Sequence, residues 1–188
     1  MKTTFSRIFF SAALVLLSAL LLVGVSFQAM VRGFLKESAM EDLRKDSSVI
    51  AQLAAAYYTE GSLTNQDFLL NLTVASEVSD ADAVICNAQG VLVLCSGSPM
   101  GCSHQGMHID KSYLSRVIST GCVESSGVIE NLYEDSRYIV SRPITDAAGG
   151  QAVGIVIVSE PISDTTLVLK RLSDFYILTS MVVILIAF

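Results

Sequence analysis

The pattern of apolar residues predicts an α+β chain, a five-stranded antiparallel sheet with helices, flanked by transmembrane helices. Three observations lead there. Uncharged apolar stretches run from Ile8 to Val31 and from Phe175 to Phe188. Between them, apolar residues up to Val78 recur at helical spacing. From Asp82 onward the spacing becomes strand-like. The expected organisation is therefore an N-terminal tail and first transmembrane helix over 1–31, a polar domain over 32–174, and the start of a second transmembrane helix over 175–188.

The first stretch is long enough to span a bilayer, since about 20 apolar residues cross a hydrocarbon core of roughly 30 Å. A cleaved signal peptide would have a shorter apolar region and small residues at both cleavage positions. The best site, ending at Ala29, carries Phe27 where a small residue belongs. The second stretch has no polar stripe or helix stop, which reads as a membrane helix cut short. Lys2 and Arg7 before the first span favour a cytoplasmic N-terminus, against the pull of Arg32 and Lys36 after it. All 18 acidic residues lie between Arg32 and Asp174, and the chain carries a net charge of −6. Such an acidic domain excludes a nucleic-acid partner.

Within the central domain, Arg32 to Tyr58 reads as a helix continuing out of the membrane. Met40, Leu43, Ser47, Ile50, Ala54 and Tyr57 form a stripe of alternating three- and four-residue steps. That stripe either covers the domain's own sheet or is a dimer seam. Glu41 and Lys45 add a favourable i,i+4 pair. Gly61 is expected to end this helix. Thr64 and Asp67 resemble a capping box for a second one, with Phe68, Leu69, Leu72, Ala75 and Val78 on its apolar face. The glycosylation sequon at Asn71 falls in mid-helix and is read as chance.

Ala83–Cys86 and Val91–Cys95 flank the turn Asn87-Ala88-Gln89-Gly90 and predict a hairpin. After a polar loop from Ser96 to His108, Asp110 caps a short helix carrying Tyr113, Leu114, Val117 and Ile118, stopped by Gly121. Three more strands are expected, from Gly127 to Tyr133, Arg137 to Ile144 and Gln151 to Ser159. A last helix opens near Ser163. The sheet is expected to carry helices packed on one face.

This order, with the hairpin residues 84–91, Gly106-Met107-His108-Ile109-Asp110 before the short helix, and the strands 137–144 and 154–159, resembles the extracytoplasmic PAS-like or single Cache sensor domain of bacterial transmembrane receptors. The likeness covers about residues 32 to 174. It implies a ligand pocket between the concave face of the sheet and the cover from Cys102 to Tyr113. His104, Arg137, Tyr138 and Arg142 are the candidate ligand-binding residues, because an Arg or Tyr holds a carboxylate or other anion by charge-assisted hydrogen bonds. The plain alternative makes Arg137 and Arg142 solvated outer-face charges and Tyr138 a core residue.

No phosphate-binding glycine loop, metal-binding His pair or nucleophile elbow is present, so no catalytic residue is assigned and no cofactor is expected. The four cysteines all lie in the central domain. With the hairpin turn at Ala88-Gln89, Cys86 faces Val91 and Cys95 falls opposite Asp82, so those two cannot pair. Cys95 is left with Cys102 or Cys122, and the nearer Cys102 is the favoured disulfide partner, against free thiols packed as small apolar groups. Cys95, Cys102 and His104 lack the spacing of a structural zinc motif, and no metal site is assigned.

The sequence thus points to the signal-sensing region of a membrane receptor. The resemblance implies a two-component sensor histidine kinase whose catalytic part lies beyond residue 188, acting as a homodimer. Its partners would be a small-molecule or stress signal, the lipid bilayer and a cytoplasmic response regulator. The alternatives are the sensor region of a chemotaxis receptor or cyclic-dinucleotide enzyme, or a non-enzymatic membrane-anchored binding module.

Overall fold

The computed structural model describes residues 4–58, 63, 66–97, 104–129, 132–146 and 150–187. It divides into two compact units, residues 1–37 with 163–188 and residues 38–162.

The first unit contains most of the apolar sequence. Helix α1 (Thr4–Tyr57) is a single helix whose N-terminal part belongs here, together with most of α4 (Ile162–Ala187). Leu14, Leu21, Leu22, Met30, Phe175, Met181 and Leu185 all stand exposed on these helices, a distribution that suits lipid rather than water. Among the described residues, α1 is the one helix long and apolar enough to cross a membrane. Within this unit the two helices meet around Gly24, where a Cβ would lie 2.6 Å from the Tyr176 ring. The Tyr176 hydroxyl donates to the Leu20 carbonyl, its ring stacks on Phe27, and Gln28 donates to Ser173 at 2.9 Å. A small residue under a large one, with polar groups paired across the contact, is the usual way apolar helices associate.

The second unit is a five-stranded antiparallel sheet in the order β2-β1-β5-β4-β3. Its strands are β1 (Asp82–Asn87), β2 (Leu92–Cys95), β3 (Val123–Gly127), β4 (Arg137–Thr145) and β5 (Ala152–Pro161). The three central strands are buried over most of their length because both faces of the sheet are covered. On one face lie the C-terminal part of α1 and α2 (Gln66–Ser79); on the other lies α3 (Lys111–Thr120). The expectation of helices on a single face is thus corrected. α3 buries Leu114 and Val117 against Val84, Cys86, Ile139, Ile155 and Ile157.

The α1 stripe resolves in favour of the chain's own core. Met40, Leu43, Ile50 and Ala54 are buried with Ile85, Val140, Val156 and Val158, and Ser47 is fully buried among them. The heptad-like spacing therefore packs a helix on a sheet and offers no dimer seam on that stripe. On α2 the buried positions are Phe68, Leu72 and Ser76, whereas Val78 points outward at 83% exposure. Asp80, at positive φ, ends the helix, and the Ala81 amide donates to the Ser76 carbonyl. Thr64 of the expected capping box and the expected stop at Gly61 lie outside the described residues.

The hairpin forms as read, but its register differs. The Asn87 side chain accepts from the Gln89 and Val91 amides to hold the turn. A bulge between Ile85 and Cys86 then puts Cys86 opposite Leu92 and Cys95 opposite Val84. Cys95 is thus nearer Cys86 than an unbroken ladder would place it, and the two still do not pair. The segment from Gly106 to Ile109 bonds along the outer edge of β2, covering an edge that would otherwise be open.

The larger error concerns β3. The strand expected from Gly127 to Tyr133 lies earlier, over Val123–Gly127, paired with Arg137–Ser141. Gly127, at φ 144°, turns the chain out of the sheet. Val128 and Ile129 then serve a pocket wall and Leu132 the core, so their hydrophobicity did not signal a strand. At the sheet centre, Gly154 is required by close approach, since a Cβ there would stand 2.2 Å from the Cys86 carbonyl oxygen.

Candidate functional site

A pocket of about 780 Å³ opens between α3 and the β3–β4 edge of the sheet. Local sequence positions its polar groups. Asp110 caps α3 by accepting from the Ser112 amide at 2.6 Å, and that hydrogen bond holds its carboxyl below the ordinary range. Gly121, in the left-handed conformation, closes the other end of the helix. Between these caps, Tyr113 and Arg116 lie one turn apart and both line the pocket, with Lys111 at its rim. The Arg116 guanidinium carbon is 5.3 Å from the Tyr113 ring centroid, within cation–π range. Tyr113 shares a 2.7 Å hydrogen bond with Ser141 of β4. Burial pushes its phenol above the usual value, so it stays protonated at neutral pH.

Across from α3, Ser125 and Ser126 of β3 present hydroxyls, while Ile139, Val128 and Ile129 form an apolar wall. Neither Lys111 nor Arg116 forms an ion pair among the described residues. The chemistry assembled is two cations, the Asp110 carboxylate occupied in capping α3, the His108 imidazole, three hydroxyls and an apolar wall. It suits recognition of a small anion with an apolar part. Among the described residues, no hydrogen bond joins His108 to a hydroxyl of this pocket.

The sequence-predicted residues fall elsewhere. Arg137 is 4% exposed and is enclosed by the protein itself. It donates to Ser159 Oγ at 3.1 Å, pairs with Asp135 at 3.2 Å and with Asp82, and lies 4.1 Å from the Tyr133 ring centroid. Neither a solvated charge nor an open ligand clamp describes it; it ties β1, β4, β5 and the loop before β4 together. His104 packs edge-on against the same Tyr133, with centroids 5.6 Å apart. Tyr138 and Arg142 face the opposite side of the sheet from the pocket. Alternation along β4 sends Arg137, Ile139 and Ser141 toward α3, and Tyr138, Val140 and Arg142 toward α1. Tyr138 is a core residue there, and Arg142 donates to Ser47 at 3.1 Å.

The pocket residues that the sequence reading did not name were Arg116, Ser125 and Ser126, whereas Lys111 and Tyr113 lie within the expected cover. The Tyr113–Arg116 spacing on a capped helix was a readable signal. The serines were hidden by the misplacement of β3. Among the cysteines, Cys95 is disulfide-bonded, whereas Cys86 and Cys122 are free. Cys102 lies outside the described residues.

No family model matches the chain. Curated proteins provide no match either. Solved structures do share its fold. The sensory domain of the Campylobacter jejuni chemoreceptor Tlp3 with isoleucine bound aligns with TM-score 0.56 at 15% identity, over 81% of this chain and 65% of that one. The extracellular ligand binding receptor from Desulfohalobium retbaense aligns with TM-score 0.54 at 17% identity, over 71% of this chain and 25% of that one. The Escherichia coli DcuS sensor domain aligns with TM-score 0.48 at 12% identity, over 73% of this chain and 96% of that one. The chain thus spans just under two thirds of the Tlp3 domain and a quarter of the Desulfohalobium receptor. Its central unit shares the fold of the Tlp3 sensory domain and of the Desulfohalobium receptor, with a five-stranded antiparallel sheet at its core.

Proposed function

We propose that this chain is the signal-sensing region of a bacterial transmembrane receptor, and that its signal is a small anionic molecule bound in the α3–β3 pocket. The observation that carries this reading is the placement of Tyr113, Arg116, Ser125 and Ser126 around one cavity in a sensor-type fold. The apolar helices at each end supply the means of anchorage: α1 runs unbroken from Thr4 to Tyr57, and α4 follows β5 with no intervening residue. Residues 175–188 are the start of a second membrane helix in this reading.

The central domain lies outside the cytoplasm, which the basic N-terminus and the oxidised state of Cys95 support. Cys102 is the proposed disulfide partner of Cys95. The output is proposed to be a two-component histidine kinase module following α4, working as a homodimer with a response regulator. A chemotaxis receptor is the second reading, favoured by the fold likeness to the Tlp3 sensory domain.

The test uses the full chain in lipid nanodiscs and a thermal-shift panel of small carboxylates and amino acids. At least one compound is expected to raise the melting temperature in a saturable way, and Arg116→Ala is expected to abolish that rise. A panel without effect, or a shift that survives Arg116→Ala, refutes the assignment of this pocket.

A further inference from the structure

A second, smaller pocket of about 270 Å³ lies on the other face of the sheet, between α1 and β4. Ser48 and Gln52 of α1 supply polar groups, Ala51, Ala55 and Pro143 supply an apolar floor, and Arg142 supplies charge. Arg142 is held in place by one contact, the 3.1 Å hydrogen bond from its Nε to Ser47 Oγ. Ser47 is itself fixed: it is fully buried and donates to the Arg44 carbonyl at 2.9 Å. No other hydrogen bond or ion pair from Arg142 occurs among the described residues.

The nearby carboxylate that would neutralise Arg142 is already taken. Glu124 is gripped by Arg44 through two hydrogen bonds, at 2.5 and 2.9 Å. Those bonds are the main cause of its lowered pKa, and the charge of Arg142 adds to the effect. No acidic residue lines the pocket. A half-buried guanidinium with one nitrogen anchored and its terminal nitrogens free is preorganised for a planar two-oxygen acceptor.

We propose that this pocket is a second binding site, distinct from the α3–β3 pocket, for a small carboxylate with a short aliphatic chain. The carboxylate pairs with Arg142, Ser48 and Gln52 complete its hydrogen bonds, and the chain lies on Ala51, Ala55 and Pro143. The volume suffices for a small carboxylic acid. A ligand there touches α1 and β4 at once, so it fastens the long helix to the sheet from the side opposite the larger pocket.

The experiment is calorimetric titration of propionate into the full chain in nanodiscs, carried out in an Arg116→Ala background that weakens anion binding in the larger pocket. Saturable binding is expected to remain. Arg142→Gln is expected to weaken it roughly tenfold or more, by loss of the charge-assisted pair. Because Arg142→Gln also disturbs Ser47, Ala51→Leu provides an independent change that fills the floor and leaves the arginine anchored; it is expected to abolish binding. Sulfate is expected to bind more weakly than propionate, because it gains nothing from the apolar floor. The proposal is overturned if propionate heats are linear and unsaturable, or if binding survives both pocket changes. Sulfate binding as tightly as propionate overturns the aliphatic-acid assignment.

Discussion

Replacing Arg137 with Met separates a structural clamp from a ligand hook. Met keeps much of the apolar stem and removes the guanidinium. Ser159, 1% exposed, then loses the donor at 3.1 Å, a buried charge-assisted hydrogen bond worth about 1–2 kcal/mol. The cation–π contact with Tyr133 at 4.1 Å adds about 1 kcal/mol. Asp82 and Asp135 are 42% and 48% exposed, so water rehydrates them and each lost ion pair counts for about 0.5 kcal/mol. Returning a buried charge to solvent offsets part of this, which leaves a net loss of about 2–3 kcal/mol. For a domain of this size that is a fall of roughly 10 °C in melting temperature, read by circular dichroism on the full chain. Ligand affinity at the α3–β3 pocket, measured below the new melting temperature, is expected to be unchanged. A melting temperature within about 2 °C of the parent, coupled with lost ligand binding, would refute the clamp and restore Arg137 as a ligand residue.

Three other expectations follow from the same structure. Gly154→Ala places a methyl against the Cys86 carbonyl and should destabilise the domain by about 2–3 kcal/mol, visible as a lower urea midpoint; an unchanged midpoint refutes the close approach. Glu124, its pKa lowered by Arg44, contributes stability that is full above the ordinary carboxylate value of 4.5 and is lost as pH falls through its folded value. Glu124→Gln should therefore flatten the acid limb of a stability–pH curve, and a curve that keeps its slope argues against the pair. The Cys86 thiol, pushed up to about 12 by burial, should resist maleimide until the protein unfolds, while half-buried Cys122 reacts first; mass spectrometry of the labelled peptides decides. The stability from keeping Cys86 neutral is present below the ordinary thiol value of 9.0 and declines as pH rises above it.

Sequence alone determined the elements whose signals are local. The apolar helices at each end, the Asp110 and Gly121 caps of α3 and the Asn87–Gly90 turn all depend on residues within a few positions of each other. It also supplied the stripe on α1, though not its partner, since a helix buries the same spacing against a sheet or against another helix. Tertiary structure decided the rest. The true position of β3 depends on its pairing with β4, which overrides the weak strand propensity of Val-Glu-Ser-Ser-Gly and the strong one of the residues after it. Register and alternation decided the site. One step along β4 moves a side chain from the α3 face to the α1 face, so Arg137 became a clamp, Tyr138 core, and Arg142 a residue of the other pocket. Which face a strand residue takes is fixed by the sheet's neighbours, and the chain brings those neighbours together only when it folds.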